Sequence, residues 1–350
     1  MQTRADRLCE LLSDNEAVFI SGYPNIFYYS GFTSEDAYLL ISHNARYIIT
    51  DSRYILQAKK QAQGFEVLDI KDGFERVFSK VSANYIGYEE DIMPVSEYKR
   101  LRMKLLDNQA FVEKQSLINK PRRIKDAEEI KKISEAERLG DEAFSHILGK
   151  IKAGVTEREI ALEIEFFMKK HGAAALSFET IAASGLRSAM PHGTATDKVI
   201  ENGDFLTLDF GCVFEGYCSD MTRTVVVGKA SDKQREIYNI VLKAQETAIG
   251  MIEEGAVCCD IDAAARNIIS EAGYGDNFGH GLGHSVGIEI HENPSFTPKC
   301  DTKLANGHVI TVEPGIYIEG FGGVRIEDLI AVQNGKALNL AHSSKELIEL

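Results

Sequence analysis

Paired cysteines, basic charge and long apolar runs are what this sequence has least of. Its six cysteines include no CxxC pair and fall far below the density of a secreted disulfide framework. They are expected to be reduced thiols. Lysine and arginine number 39 against 53 aspartates and glutamates, a formal charge of −14. That balance argues against nonspecific nucleic-acid binding, which depends on basic residues neutralising phosphates. It names no partner of its own, since net charge mostly serves solubility. No segment approaches the roughly 18 uninterrupted apolar residues of a membrane span, and the opening stretch MQTRADRLCELLSDNEA lacks the apolar core of a signal peptide. A soluble cytoplasmic protein that engages neither nucleic acid nor membrane is expected.

What is present is apolar content, 44% of 350 residues, enough for two domains with substantial cores. The character of the chain changes near residue 120. Before it, strand-like runs (AVFIS at 17, AYLLIS at 37, ARYIITD at 45, FEVLDI at 65, YIGYEE at 85) alternate with helical stretches at 52–62 and 96–106. Residues 1–120 are therefore expected to form an α/β domain. The polar segment EKQSLINKPRRIKDAEE reads as a linker entering a helix. Asp126 with Glu129, Thr156 with Glu159, and Ser231 with Gln234 each give a capping-box start signal. Helices are predicted over 126 to about 151, 156–171, 232–253 and 260–272, interleaved with strands from about 175. Residues 121–350 thus read as an α+β domain.

That second domain puts charge where strands should be. In LTLDFGCVFEGYCSDMTRTVVVG, residues 206–228, Asp209 and Asp220 lie in a hairpin pattern, with Gly211 and Gly216 bracketing the link. With a two-residue loop at Phe214-Glu215 or Glu215-Gly216 the two carboxylates share a face, opposite or diagonal, where like charges repel. VITVEPGIYI places Glu313 after an apolar run, and GGVRIEDLIAV places Glu327 between two. NFGHGLGHSVGIEIHENP supplies His280, His284 and His291 from a glycine-rich loop entering a strand. In a regular strand His284 and His291 would face opposite ways, and a bend at Gly287 is one route to a common site. A lone strand carboxylate usually faces solvent. Four of them with a histidine point instead to metal, because buried charges need partners. Oxygen ligands with an imidazole and no thiolate suit Mn²⁺, Co²⁺, Fe²⁺ or Zn²⁺ in an open catalytic site. Four carboxylates balance two divalent cations, as in two-metal hydrolysis.

The blocks LDFG, CSDMTRT, GHGLGHSVGIEIHE, VEPGIYI and GVRIEDL, in that order, closely resemble the pita-bread metallopeptidases. SGYPNIFYYSGF and YIITDSRY resemble the N-terminal domain of the aminopeptidase P and prolidase group; methionine aminopeptidases usually lack it. The resemblance implies a creatinase/prolidase-like α/β domain followed by a pita-bread catalytic domain. It also implies two divalent metals, with Mn²⁺ or Co²⁺ favoured over Zn²⁺ or Fe²⁺, and a homodimer acting on short proline-containing peptides. It makes Asp209 a bidentate ligand of one ion, Asp220 and Glu327 bridging ligands, and His284 and Glu313 ligands of the other. Glu313 would also relay a proton to the leaving nitrogen. His192, in MPHGTATDK, and His291 would donate to the scissile carbonyl, where negative charge develops in the transition state. Arg325 would support the site. His280 is open between a supporting and a packing role, and Cys212 and Cys218 flank the ligand positions as core residues. The expected activity is Xaa-Pro hydrolysis at a free amino terminus. A broader or methionine-type aminopeptidase is the alternative within enzymes, and a noncatalytic binding protein of the same fold is the alternative outside them.

Overall fold

A computed structural model of the chain describes residues 3–350, and the chain divides into two units between Arg122 and Arg123. The first holds strands β1 (Glu16–Ile20), β2 (Ala37–Ser42), β3 (Ala45–Thr50), β4 (Glu66–Asp69), β5 (Tyr85–Tyr88) and β6 (Ala110–Glu113) in one sheet of order β4-β3-β2-β1-β5-β6. Strand β2 runs antiparallel to both neighbours, and the other pairs are parallel. Short helices α1 (Arg4–Cys9), α2 (Tyr23–Ser30), α3 (Ile55–Gln61), α4 (Phe74–Phe78), α5 (Val95–Arg102) and α6 (Gln115–Asn119) complete it. Its core gathers Phe19, Leu40, Ile49, Phe74, Phe78 and Ile86, with Tyr38 and Phe111 packed against them. The segment expected to be a linker entering a helix carries the boundary between the units and has structure of its own: α6, a 3-10 turn over Lys120–Arg123 and the start of the next helix at Ala127 occupy most of it.

The three capping-box signals open the first three helices of the second unit. These are α7 (Ala127–Leu148), α8 (Glu157–Lys170) and α9 (Asp232–Gly250), and in each the N-cap oxygen accepts from the third residue while that residue's side chain returns the bond. Helix α10 (Cys258–Glu271) begins two residues before its expected start, after Val257, whose side chain cannot cap. Strands β7 (Ala175–Leu176), β8 (Ile181–Ser184), β9 (Phe205–Phe210), β10 (Cys212–Phe214), β11 (Tyr217–Cys218) and β12 (Met221–Val226) lead into β13 (Gly283–Ser285), β14 (Glu292–Phe296), β15 (Val309–Val312), β16 (Gly315–Ile318), β17 (Gly322–Arg325), β18 (Asp328–Gln333) and β19 (Lys336–Asn339). Their sheets are β11-β10-β7, β12-β9-β8, β14-β13-β15-β18-β19 and the pair β16-β17.

Two cores lie in this unit. Ile133, Leu139, Phe144, Ile147 and Ile164 on α7 and α8 are buried, most of them in one cluster with Leu206, Leu208 and Val225. Val241, Ala248, Ile261 and Ile269 on α9 and α10 pack with Ile310, Val312, Ile330 and Val332. Of the charged residues of interest, Asp220, Glu313 and Glu327 fall in short breaks between strands of this unit, and Asp209 and His284 lie within β9 and β13.

Candidate active site

Asp209 and Asp220 are brought together by a tight turn. Val213 pairs with Cys218 and Phe214 with Tyr217, which leaves Glu215-Gly216 as the two-residue loop, with φ of 46° and 85°. Positive φ at both central residues is the type I′ geometry that matches strand twist. Further down the ladder Asp209 lies opposite Thr222, so Asp220, two residues before Thr222, shares its face diagonally. The other two acids occupy two-residue breaks: Glu313, with Pro314, between β15 and β16, and Glu327, with Ile326, between β17 and β18. Oxygens of Asp209, Asp220 and Glu327 lie within 4.8 Å of one another. His284 Nε2 stands 3.5 Å from Asp220 Oδ2 and 3.4 Å from Glu313 Oε1.

The histidine parity problem has a structural answer. The register between β13 and β14 shifts between His284 and Ser285, and the chain turns back at Gly287, whose N–H donates to Glu289 O at 3.0 Å. A Cβ at Gly287 would come within 2.6 Å of the Glu292 carboxylate, so any larger residue there has to displace that side chain. The excursion brings the rings of His284 and His291 to 4.3 Å.

Burial pushes the carboxyls of Asp220 and Glu327 well above the ordinary range, and neighbouring carboxylates raise them further. Burial lifts Glu313 to about 7, with Arg325 pulling down and Asp209 pushing up. Burial likewise lowers His284 to about 4, helped by His291, so its ring is neutral. His284 Nδ1 faces Ser285 O at 3.3 Å; with the proton assigned there, the Nε2 lone pair points at two carboxylate oxygens. Asp209 Oδ1 and Glu327 Oε1 are buried without a hydrogen-bond partner. Electron-pair donors converging with no donor proton between them are what a divalent cation requires, so these residues fit one.

The remaining polar groups lock this cluster. Thr222 Oγ1 donates to Glu327 Oε2 at 2.7 Å and accepts from Arg325 Nε at 3.0 Å. Arg325 Nη2 donates to Asp209 Oδ2 at 2.6 Å, while Nη1 donates to Tyr317 OH at 2.8 Å and to Pro191 O at 3.1 Å. Arg325 thus ties Asp209 to the segment that carries His192. That segment is also anchored by Glu157, fully buried at the start of α8. Glu157 accepts from Ser184 N at 2.7 Å, Arg187 Nε at 3.0 Å and Thr196 Oγ1 at 2.7 Å. His280 receives Tyr317 OH at Nε2, 3.0 Å away, while Nδ1 faces Gly281 O at 2.8 Å. Burial lowers it to about 4. Sequence reasoning did not find Tyr317, Thr222 or Glu157: each acts through partners far along the chain, and no local pattern marks them. Cys212 and Cys218 are buried, and burial pushes both thiols up to about 12; they are packing residues.

A cavity of about 490 Å³ opens onto the cluster. His192, His280, His284, His291 and Arg325 line it together with Asp209, Asp220, Glu313 and Glu327, and Phe178, Ile181, Pro191 and Ile290 form apolar wall. An acidic cluster with a neutral imidazole beneath a partly apolar cavity has the donor set of a metal-dependent hydrolase.

Residues 131–334 match metallopeptidase family M24, and residues 4–124 match the creatinase/prolidase N-terminal domain. The chain belongs to metallopeptidase family M24. It is 38% identical over 352 residues to the Xaa-Pro dipeptidase of Pyrococcus horikoshii, covering 99% of each chain. It superposes with a TM-score of 0.95 on an Xaa-Pro dipeptidase from Bacillus anthracis at 44% identity, covering 99% of both chains. An X-Pro aminopeptidase from Thermotoga maritima gives 0.92 at 38% identity, covering 99% of this chain and 100% of the other. The expected family and its pita-bread fold behind a creatinase/prolidase-type N-terminal domain are thus borne out. No helix among the described residues is long and apolar enough to cross a membrane.

Proposed function

We propose that this chain hydrolyses the Xaa-Pro bond at the free amino terminus of dipeptides or short peptides, with two divalent cations held by Asp209, Asp220, His284, Glu313 and Glu327. The observation that carries the reading is the convergence of four carboxylates and a neutral imidazole, with Asp209 Oδ1 and Glu327 Oε1 left without partners. Divalent cations bound there supply Lewis-acid polarisation of the scissile carbonyl and ready deprotonation of water at neutral pH. Charge counting favours two: four carboxylates carry −4, matched by two dications. Mn²⁺ or Co²⁺ suits this oxygen-rich set best, with Zn²⁺ or Fe²⁺ also compatible.

The chain's own residues do the rest. His192 and His291, both on the cavity wall, donate to the carbonyl oxygen as negative charge grows on it, which stabilises the transition state more than the ground state. Glu313 receives a proton and passes it to the leaving nitrogen. An Xaa-Pro bond offers no N–H to grip, so recognition falls to the shape of the ring. The apolar wall of Phe178, Ile181, Pro191 and Ile290 suits that ring. Arg325 holds Asp209 and the His192 segment in place. The six cysteines are all unpaired, which suits work in the reducing cytoplasm. A homodimer is expected from the family resemblance.

The test compares hydrolysis of Ala-Pro, Ala-Pro-Ala, Ala-Ala, Met-Ala-Ala and acetyl-Ala-Pro by protein reconstituted with Mn²⁺, Co²⁺ or Zn²⁺. The two proline peptides with free amines are expected to be cleaved fastest. Equal cleavage of Ala-Ala, or of acetyl-Ala-Pro, defeats the Xaa-Pro assignment. Preference for Met-Ala-Ala makes the chain a methionine-type aminopeptidase.

A further inference from the structure

One charged group on the cavity wall takes no part in the cluster. Glu179 lines the cavity and is exposed, with no hydrogen bond or ion pair among the described residues. It follows Phe178, which also lines the cavity and packs against the metal-cluster hairpin: a Cβ added at Gly211 would sit 3.2 Å from the Phe178 ring. Glu179 is therefore carried on a seated residue next to the strand that bears Asp209. The cavity offers no free counter-charge. Arg325 is the one lysine or arginine on its wall. That guanidinium is occupied at Nε by Thr222, at Nη1 by Tyr317 and Pro191 O, and at Nη2 by Asp209. With two dications balancing the four clustered carboxylates, Glu179 and Arg325 are the charges left over, and only Glu179 is unengaged.

Building on the proposed Xaa-Pro activity, we infer that Glu179 determines specificity by charge, favouring a basic residue ahead of the proline and disfavouring an acidic one. Such selectivity requires the side chain of the amino-terminal residue to lie on the side of the cavity where Phe178 meets the hairpin, the side on which Glu179 is carried. A lysine or arginine side chain there gains the Glu179 carboxylate as partner. An aspartate or glutamate side chain meets a like charge, and four of the five N–H groups of Arg325 are already engaged, with its charge paired to Asp209. Across a water-lined cavity one such interaction amounts to about three- to tenfold in binding. It weakens with salt, since the screening length shrinks to about 3 Å at 1 M.

The experiment measures kcat/KM for Lys-Pro, Ala-Pro and Glu-Pro, each normalised to Ala-Pro within the same protein, for the metal-loaded wild type, Glu179→Gln and Glu179→Lys. Lys-Pro is expected to exceed Glu-Pro by about tenfold or more in the wild type. Glu179→Gln should shrink that ratio several-fold through KM, Glu179→Lys should invert it, and 0.5 M NaCl should shrink it in the wild type. A ratio that Glu179→Lys leaves unmoved overturns the inference. So does a charge effect confined to Ala-Pro-Lys against Ala-Pro-Glu, which would put Glu179 beyond the proline. If none of these peptides is cleaved, the proposed activity itself fails, and that outcome is distinguishable from an unmoved ratio.

Discussion

Two buried clusters of charge lie on either side of one short length of backbone, and they are held in opposite ways. Thr222 and Arg223 are consecutive, as are Glu327 and Asp328, so their side chains leave the strands on opposite faces. On one face Glu327 meets Asp209 and Asp220, and one of its oxygens has no partner. On the other, Asp328 accepts from Arg223 Nη2 at 2.7 Å, Gln245 Nε2 at 3.0 Å and Asn339 Nδ2 at 2.9 Å, with Lys345 Nζ at 2.9 Å. Burial is nearly equal, at 1% exposure for Glu327 and 0% for Asp328. Burial pushes Asp328 up as well, but Arg223, Lys345 and the Gln245 bond outweigh it and hold the carboxyl below its ordinary range. Depth therefore does not distinguish a working carboxylate from a structural one. The missing counter-charge does.

The comparison is easiest to break at the metals. Chelation should abolish activity and added Mn²⁺ or Co²⁺ should restore it, while Asp209→Asn should lower kcat on the order of 10³-fold or more and weaken metal binding. Turnover by metal-free protein, or a metal-replete Asp209→Asn enzyme of near-normal rate, would overturn the reading of that face. Next comes the opposite face. Asp328→Asn leaves Arg223 buried without its anion and should cost about 3–5 kcal/mol. Thermal unfolding should show it with and without metal. Glu327→Gln should behave the other way round: no loss of stability in metal-free protein, where it relieves repulsion, but loss of the stabilisation that metal adds. If both variants destabilise the metal-free protein alike, the two faces are not different in kind.

The histidines sharpen the contrast at intermediate size. His192→Ala and His291→Ala should lower kcat by about 10²-fold with metal content and melting temperature unchanged; loss of metal from His291→Ala would make it a ligand and question the choice of His284. The smallest effect is on pH. Glu313 has a folded-state pKa of about 7, raised from 4.5 chiefly by burial. Its contribution to the stability of metal-free protein is fully present below about 4.5 and is lost as pH rises through about 7. Metal-free melting temperature should fall by a few degrees across that window from this acid, and bound metal should flatten the curve. Asp328, held low, works in the opposite sense: its contribution is present above the unfolded carboxyl range and is lost as pH falls below it.

What the sequence made legible was local. Capping boxes opened three helices at the expected residues, and strand patterning found five of the six strands of the first unit; β6, at AFVE, is four residues long with only two large apolar side chains, too short a run to stand out ahead of the polar stretch that begins at Glu113. The hairpin was legible because turn length fixes parity, and the acids because charge among β-branched residues is conspicuous. His284 and His291 were harder, since a register shift decides their facing and only Gly287 hinted at it. Arg223, Asp328, Glu157 and Tyr317 stayed hidden. Arg223 and Asp328 are 105 positions apart and Glu157 and Ser184 27 apart, and such pairings exist only once the sheets have formed.

The Glu215-Gly216 turn has a consequence for how this protein can change. Its tip is remote from the chemistry by function but not by arithmetic, because each residue added to or removed from it moves one arm of the hairpin by a step. A single-residue insertion or deletion there would turn Asp220 to the face that Asp209 does not occupy, unless a bulge absorbed it. Substitutions at the tip that keep the left-handed backbone should be tolerated, Glu215→Asn among them. Changes of length by one should be as damaging as removing Asp220 itself, so in a library of turn variants survival should track the parity of the loop rather than its composition.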